Sequence, residues 1–226
     1  MSTDVDPDAE DGPERIVYLS PYLIDKYEVS NGRYKECIDA GVCNEPDENE
    51  LYPWDNPDYA DMPVAHITKA DALTFCNWDG GRTLPTEAQW EKAAKGPYPE
   101  QKIWPWGDSP EISCDLVLAI TCPGNPGGIT YLPVDSTPEG ASYYGLFHTL
   151  GNVKEMCLDS YSDNAGTDLV GFDPYYTDPQ SDLESCRGPG SYIWDGDPIL
   201  NINQHSFIHW GESVRYAGFR CARRAY

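Results

Sequence analysis

The sequence predicts an α+β domain of short elements joined by long, ordered loops. Three segments in the first hundred residues place apolar positions at helical spacing between their own start and stop signals. Against this, 20 Gly and 20 Pro in 226 residues interrupt most of the remainder with turns. A hydrophobic content of 40%, with 7 Trp and 16 Tyr, supplies a core, and a unit of this size buries about 70% of its unfolded surface.

Residues 1–15 read as a disordered acidic arm, because Asp4, Asp6, Asp8, Glu10, Asp11 and Glu14 occur with almost nothing apolar. The Asp4-x-Asp6-x-Asp8 spacing has the look of a calcium loop, but Ala9 stands where that loop requires glycine, so the arm is read as a linker. Residues 16–226 form one domain. From Ile16 to Val29 aromatic and β-branched residues predict two short strands broken at Ser20-Pro21. Ser30 or Asn31 then caps a helix that shows Tyr34, Cys37 and Ile38 on one face and stops at Gly41. Thr68 with Asp71 makes a capping box for a second helix carrying Ala72, Phe75 and Cys76 inward, ended by Gly80-Gly81. Thr86 with Gln89 makes a third, with Trp90, Ala93 and Ala94 inward and Gly96 as its stop. Beyond Gly96, strands are expected at Val153–Leu158 and Val214–Cys221.

The formal charge of −23 argues against nucleic acid as a partner, since that affinity rests on clustered Lys and Arg. Anionic membrane surfaces are disfavoured for the same reason, and direct membrane insertion is not expected because no apolar run approaches the ~20 residues a span needs. Eight cysteines without a paired Cys-x-x-Cys arrangement read as disulfides, which implies an oxidising, extracytoplasmic compartment. The chain's own start, Met1-Ser-Thr-Asp-Val-Asp, has no export signal, so that segment is expected to be missing from it. Neither a Gly-x-Ser-x-Gly elbow nor a His-Glu-x-x-His helix occurs, which lowers the prospect of hydrolytic chemistry. His205 and His209 would share a helical face, but no helix signal or carboxylate partner accompanies them, so packing or solvent roles are expected rather than metal ligation.

An ordered series of segments resembles one family. It runs Asp25-Lys-Tyr-Glu-Val-Ser-Asn-Gly-Arg-Tyr, Met62-Pro-Val, Phe75-Cys-Asn-Trp and Gly81-Arg-Thr-Leu-Pro-Thr-Glu-Ala-Gln-Trp-Glu. It continues through Trp106-Gly-Asp, Pro133-Val-Asp-Ser, Gly151-Asn-Val-Lys-Glu, Arg187-Gly-Pro-Gly-Ser and Gly218-Phe-Arg-Cys-Ala-Arg. This set is similar to the sulfatase-modifying-factor domain, the family of the formylglycine-generating enzyme, from about Ile16 to Arg223. The resemblance implies an irregular C-type-lectin-like fold around a small twisted sheet. It makes Arg82 and Glu87 candidates for a buried or half-buried ion pair with a scaffold role. It also suggests a disulfide between Cys76 and Cys221. Eight cysteines permit about a hundred pairings. Proximity suggests Cys37 with Cys43 and Cys114 with Cys122, which leaves Cys157 with Cys186.

Family members that make formylglycine hold copper(I) with two cysteines following a Gly-Gly-Ser-Tyr segment, soft thiolates being suited to that ion. Aligning Ser191-Tyr192 on that motif puts Trp194 and Ile199 at the two cysteine positions, and neither side chain ligates copper. Copper-dependent cysteine oxidation is therefore not expected. The alternative is a divergent oxidoreductase of the same family. The family's calcium site around Gly-Asn-Val would map to Asn152 and Glu155, as a structural ion. Related scaffolds bind ligands with the stretch that here runs from Tyr192 to Tyr216. Tyr192, Trp194, Asp195, Asp197, Asn203, His205 and Trp210 are its candidate contact residues, aromatic anchors among adaptable polar groups. Phe207 and Trp210 could equally fill the core beneath a loop. The expected function is a non-catalytic extracytoplasmic binding or assembly module. Its partner would be a protein, a small molecule, a glycan or another copy of itself.

Overall fold

The computed structural model describes residues 16–47, 53–97, 104–107, 113–117, 131–164, 168–190, 205–214 and 216–225. The three expected helices form where their caps lie. α1 (Asn31–Asp39) starts at Ser30, whose side chain accepts from the Arg33 N–H. α2 (Lys69–Trp78) and α3 (Glu87–Lys95) both begin with complete capping boxes, Thr68 with Asp71 and Thr86 with Gln89. In α3 the box leaves Trp90, Ala93 and Ala94 buried on one face.

The strands are β1 (Val17–Tyr18), β2 (Tyr22–Ile24), β3 (Lys154–Ser160), β4 (Gly171–Phe172), β5 (Leu183–Arg187), β6 (His205–His209), β7 (Ala217–Gly218) and β8 (Ala222–Arg224). The main sheet has the order β6-β5-β3-β7, antiparallel except for the parallel β3/β7 pair. Two ribbons flank it, β1 with β4 in parallel and β2 with β8 antiparallel. Of the strand expected over Val214–Cys221 only β7 forms, and β8 starts just beyond that range. Between them the chain changes partners: the Phe219 carbonyl accepts from Val29 N–H and the Cys221 carbonyl from Asp25 N–H, so pairing passes from β3 to β2.

The largest apolar cluster joins α1 and α2 to one face of the sheet through Tyr34, Phe75, Met156, Cys186, Ile208 and Phe219. A second, with Trp90, Ala94, Leu150 and Cys157, lies between α3 and the other face. Arg220 is fully buried between them. It donates to both oxygens of Glu155 and to the carbonyls of Asp25, Lys26 and Phe147.

Disulfides join Cys37 to Cys43 and Cys76 to Cys221, as expected. Cys114 is disulfide-bonded, and its expected partner Cys122 lies outside the described residues. The expected Cys157–Cys186 bridge is not made; both are buried free thiols. Register explains this. Met156 stands opposite Cys186, so Cys157, one residue on, points through the opposite face of the sheet. Arg82 and Glu87 are each ion-paired, but not with one another. Arg82 bridges Asp25 and Asp79, whereas Glu87 turns inward to Arg187. No helix of the described residues is long and apolar enough to cross a membrane.

Candidate functional site

The family register directs attention to the connection between β5 and β6. Its two ends are held side by side, because Arg187 pairs with His205 in the antiparallel ladder. Gly188 and Gly190 leave β5 with φ of +78° and +67°, conformations that favour glycine and turn the chain away from the sheet. Tyr192, Trp194, Asp195, Asp197 and Asn203 follow, outside the described residues.

Beneath this neck lies a buried polar network supplied by α3 and the sheet. Glu87 and Glu91, one helical turn apart, present carboxylates on the face where Trp90 is buried. Arg187 lies between them, with Nη2 2.6 Å from Glu91 and Nη1 3.8 Å from Glu87, and its guanidinium stands over the Trp90 ring. Ser185 donates its hydroxyl to Glu87, and His205 Nε2 lies 3.5 Å from the same carboxylate oxygen. The His205 ring stacks on Tyr161 with centroids 4.4 Å apart. Burial alone would raise the Glu87 carboxyl, but contacts with His205, Arg187 and Ser185 together outweigh it and hold the group below its ordinary value.

Asp159 extends the network. Its oxygens accept the N–H groups of Glu87, at the start of α3, and of Tyr176. Burial, followed by the charge of Glu87, pushes its carboxyl up to about 7.

Ser185 donates its hydroxyl to Glu87 and His205 faces the same carboxylate oxygen, so within this network both groups are turned to Glu87 rather than to one another. Cys157 and Cys186 lie on opposite faces of the sheet and cannot converge on one copper ion. Burial pushes the Cys186 thiol up to about 12 and Cys157 well above its usual value, so neither is a ready thiolate. Among the described residues no cluster of three or more His, Cys, Asp or Glu could hold a metal.

His205, expected among the contact residues, is 7% exposed and belongs to the support. Trp210 is 74% exposed, in the turn after β6, and Phe207 is half exposed on the strand, so neither fills the core. Asn152 and Glu155, the calcium expectation, are both buried and engaged by protein groups. The Asn152 oxygen accepts from Leu132 N–H and its amide donates to Glu28, while Glu155 meets Arg220 and the Trp90 indole N–H. The roles of Glu91, Asp159, Tyr161 and Ser185 escaped the sequence reading. The signal present for them was the Glu87/Glu91 spacing on a capped helix, which puts two carboxylates on one face.

The chain is 30% identical over 208 residues to the formylglycine-generating enzyme of Thermomonospora curvata, covering 70% of this chain and 66% of that protein, just under two thirds of its length. It is 28% identical over 274 residues to the inactive C-alpha-formylglycine-generating enzyme 2 of Mus musculus, covering 100% of this chain and 82% of that one. Among solved structures, Treponema denticola variable protein 1 superposes with a TM-score of 0.72 at 21% identity, over 96% of this chain and 90% of that one. The model of the sulfatase-modifying factor enzyme 1-like domain matches residues 1–225, and the chain belongs to that family.

Proposed function

We propose that this chain is a non-catalytic recognition module on the formylglycine-generating-enzyme scaffold, working outside the cytoplasm and contacting its partner through the region Tyr192–Tyr216. The observation that carries the reading is the neck of that region. Arg187, Glu87 and His205 are buried and bound to one another, while the aromatic side chains of Phe207 and Trp210 face solvent beyond them. A rigid polar base under exposed aromatic anchors suits binding, because anchors held in place lose little freedom on association. Aligning Ser191-Tyr192 on the family motif, which puts Trp194 and Ile199 where copper-binding cysteines are expected, supports the same reading, as does similarity to a relative named inactive. Disulfides at Cys37–Cys43 and Cys76–Cys221 support the extracytoplasmic placement.

The second reading, a divergent oxidoreductase, draws on the 30% identity to a relative named formylglycine-generating enzyme. Immobilised peptide and glycan arrays test the first. The double variant Trp194→Ala/Trp210→Ala is expected to lose the binding that the parent protein shows while melting at the same temperature. Unchanged affinity for every array ligand contradicts the proposal.

A further inference from the structure

We infer that β6 is an open strand edge that pairs antiparallel with β6 of a second copy of this chain, centred on Phe207. This rests on the recognition reading of the same region and supplies its partner. Among the described residues β6 is the outermost strand of the sheet, so one row of its backbone groups faces away from β5. Two hydrogen bonds fix which row. Trp210 N–H donates inward to the Asp182 carbonyl, and the Leu183 carbonyl faces the other way, accepting from Tyr161 N–H after β3. Alternation along an antiparallel pair then turns Ser206 and Ile208 toward β5 and leaves His205, Phe207 and His209 with their N–H and C=O groups outward. Among the described residues no hydrogen bond reaches the outward groups of Phe207; the His209 carbonyl accepts from Glu212 N–H in the following turn.

The opposite edge of the sheet is different. β7 is two residues long and buried, and the chain beyond it already pairs with Val29. Protected edges carry lysine, proline or a bulge, whereas the β6 sequence His-Ser-Phe-Ile-His has none of these and keeps an unbroken register with β5.

A second copy fits because the edge is self-complementary. A two-fold axis at Phe207 sets Phe207 opposite its own counterpart, so the outward N–H and C=O of each Phe207 meet those of the other. The face already carries an aromatic row, Phe207 lying 4.9 Å from Tyr161 and 5.9 Å from His209 by ring centroids, which a paired copy would continue across the axis. No carboxylate or ammonium lies on the strand, so self-pairing meets no like charge at the seam. The remaining obstacle is the long-range repulsion of two chains at −23, which salt screens.

Sedimentation of the whole chain over a wide concentration range, at low and at high salt, tests this. A monomer–dimer equilibrium that tightens with salt is expected, with loss of the dimer in Phe207→Lys while thermal unfolding of the monomer is unchanged. Should that variant fold poorly, Phe207→Cys provides the second measurement: a short bis-maleimide should cross-link it to a covalent dimer, whereas Tyr143→Cys, exposed elsewhere, should not be cross-linked. A chain that stays monomeric throughout, a dimer that survives Phe207→Lys, or a Phe207→Cys chain that does not cross-link overturns the inference. A monomeric chain whose array ligands are lost in Trp194→Ala/Trp210→Ala overturns self-pairing and leaves the recognition reading standing.

Discussion

Arg220 sets its Nε 2.5 Å and its Nη2 2.7 Å from the two oxygens of Glu155, and neither side chain has more than 1% of its surface in water. Glu28, also buried, lies in the same pocket, accepting from the Asn152 amide and from Val153 N–H. Two carboxylates and one guanidinium cannot all be ionised there at balance. Burial, then the charge of Glu155, drives the Glu28 carboxyl well above its ordinary value, whereas Arg220 keeps its proton because Glu155 faces it.

Glu155→Gln should therefore be the costly substitution, at about 3–5 kcal/mol, since it strands a buried guanidinium. Glu28→Gln removes a single hydrogen-bond acceptor and should cost about 1–2 kcal/mol. Urea unfolding of both variants at neutral pH checks the order, and equal losses would contradict the assignment of charge.

Asp159 gives the fold a pH dependence of definite sign. The folded chain holds its proton up to about 7, while the unfolded chain releases it near 3.8. This contribution is complete below about pH 4 and is lost as pH climbs through 7. At 1.36 kcal/mol per unit the full swing is on the order of 4 kcal/mol. Asp159→Asn has no such proton. The stability of the parent protein relative to this variant should fall between pH 4 and 8, measured by urea midpoints across that range, and a flat difference would count against it.

The thiols provide a chemical check. Native protein should resist alkylation, and denatured, unreduced protein should be labelled at Cys157 and Cys186. A peptide map that recovers these two as a disulfide would overturn the register argument.

The Cys76–Cys221 bridge closes a loop with a sequence separation of 145, against 6 for Cys37–Cys43. In the chain-entropy account the long loop contributes about 5 kcal/mol and the short one about 2. Replacing each pair by serine should lower the thermal midpoint in that order.

What the sequence disclosed follows from where each signal resides. The helices were legible because capping boxes are local: Thr68 with Asp71 and Thr86 with Gln89 need only three residues of separation. β5 and β6 were not, because Leu183–Arg187 carries Glu184 and Arg187 into burial and its stability comes from partners remote in the chain. The Cys157–Cys186 bridge was reached by elimination, and one residue of sheet register overruled it. The neck was the least legible part, since Glu87, Arg187 and His205 meet only when α3 packs on the β5–β6 hairpin.

The central claim, recognition without the family's oxidation chemistry, is tested most directly by incubating the chain with copper(I), oxygen, an external electron donor and a cysteine-bearing sulfatase-type peptide, then reading the peptide by mass spectrometry. The account predicts unmodified cysteine and no stoichiometric copper(I) binding in an anaerobic titration. Repeated turnover of the peptide to formylglycine would contradict it and favour the oxidoreductase.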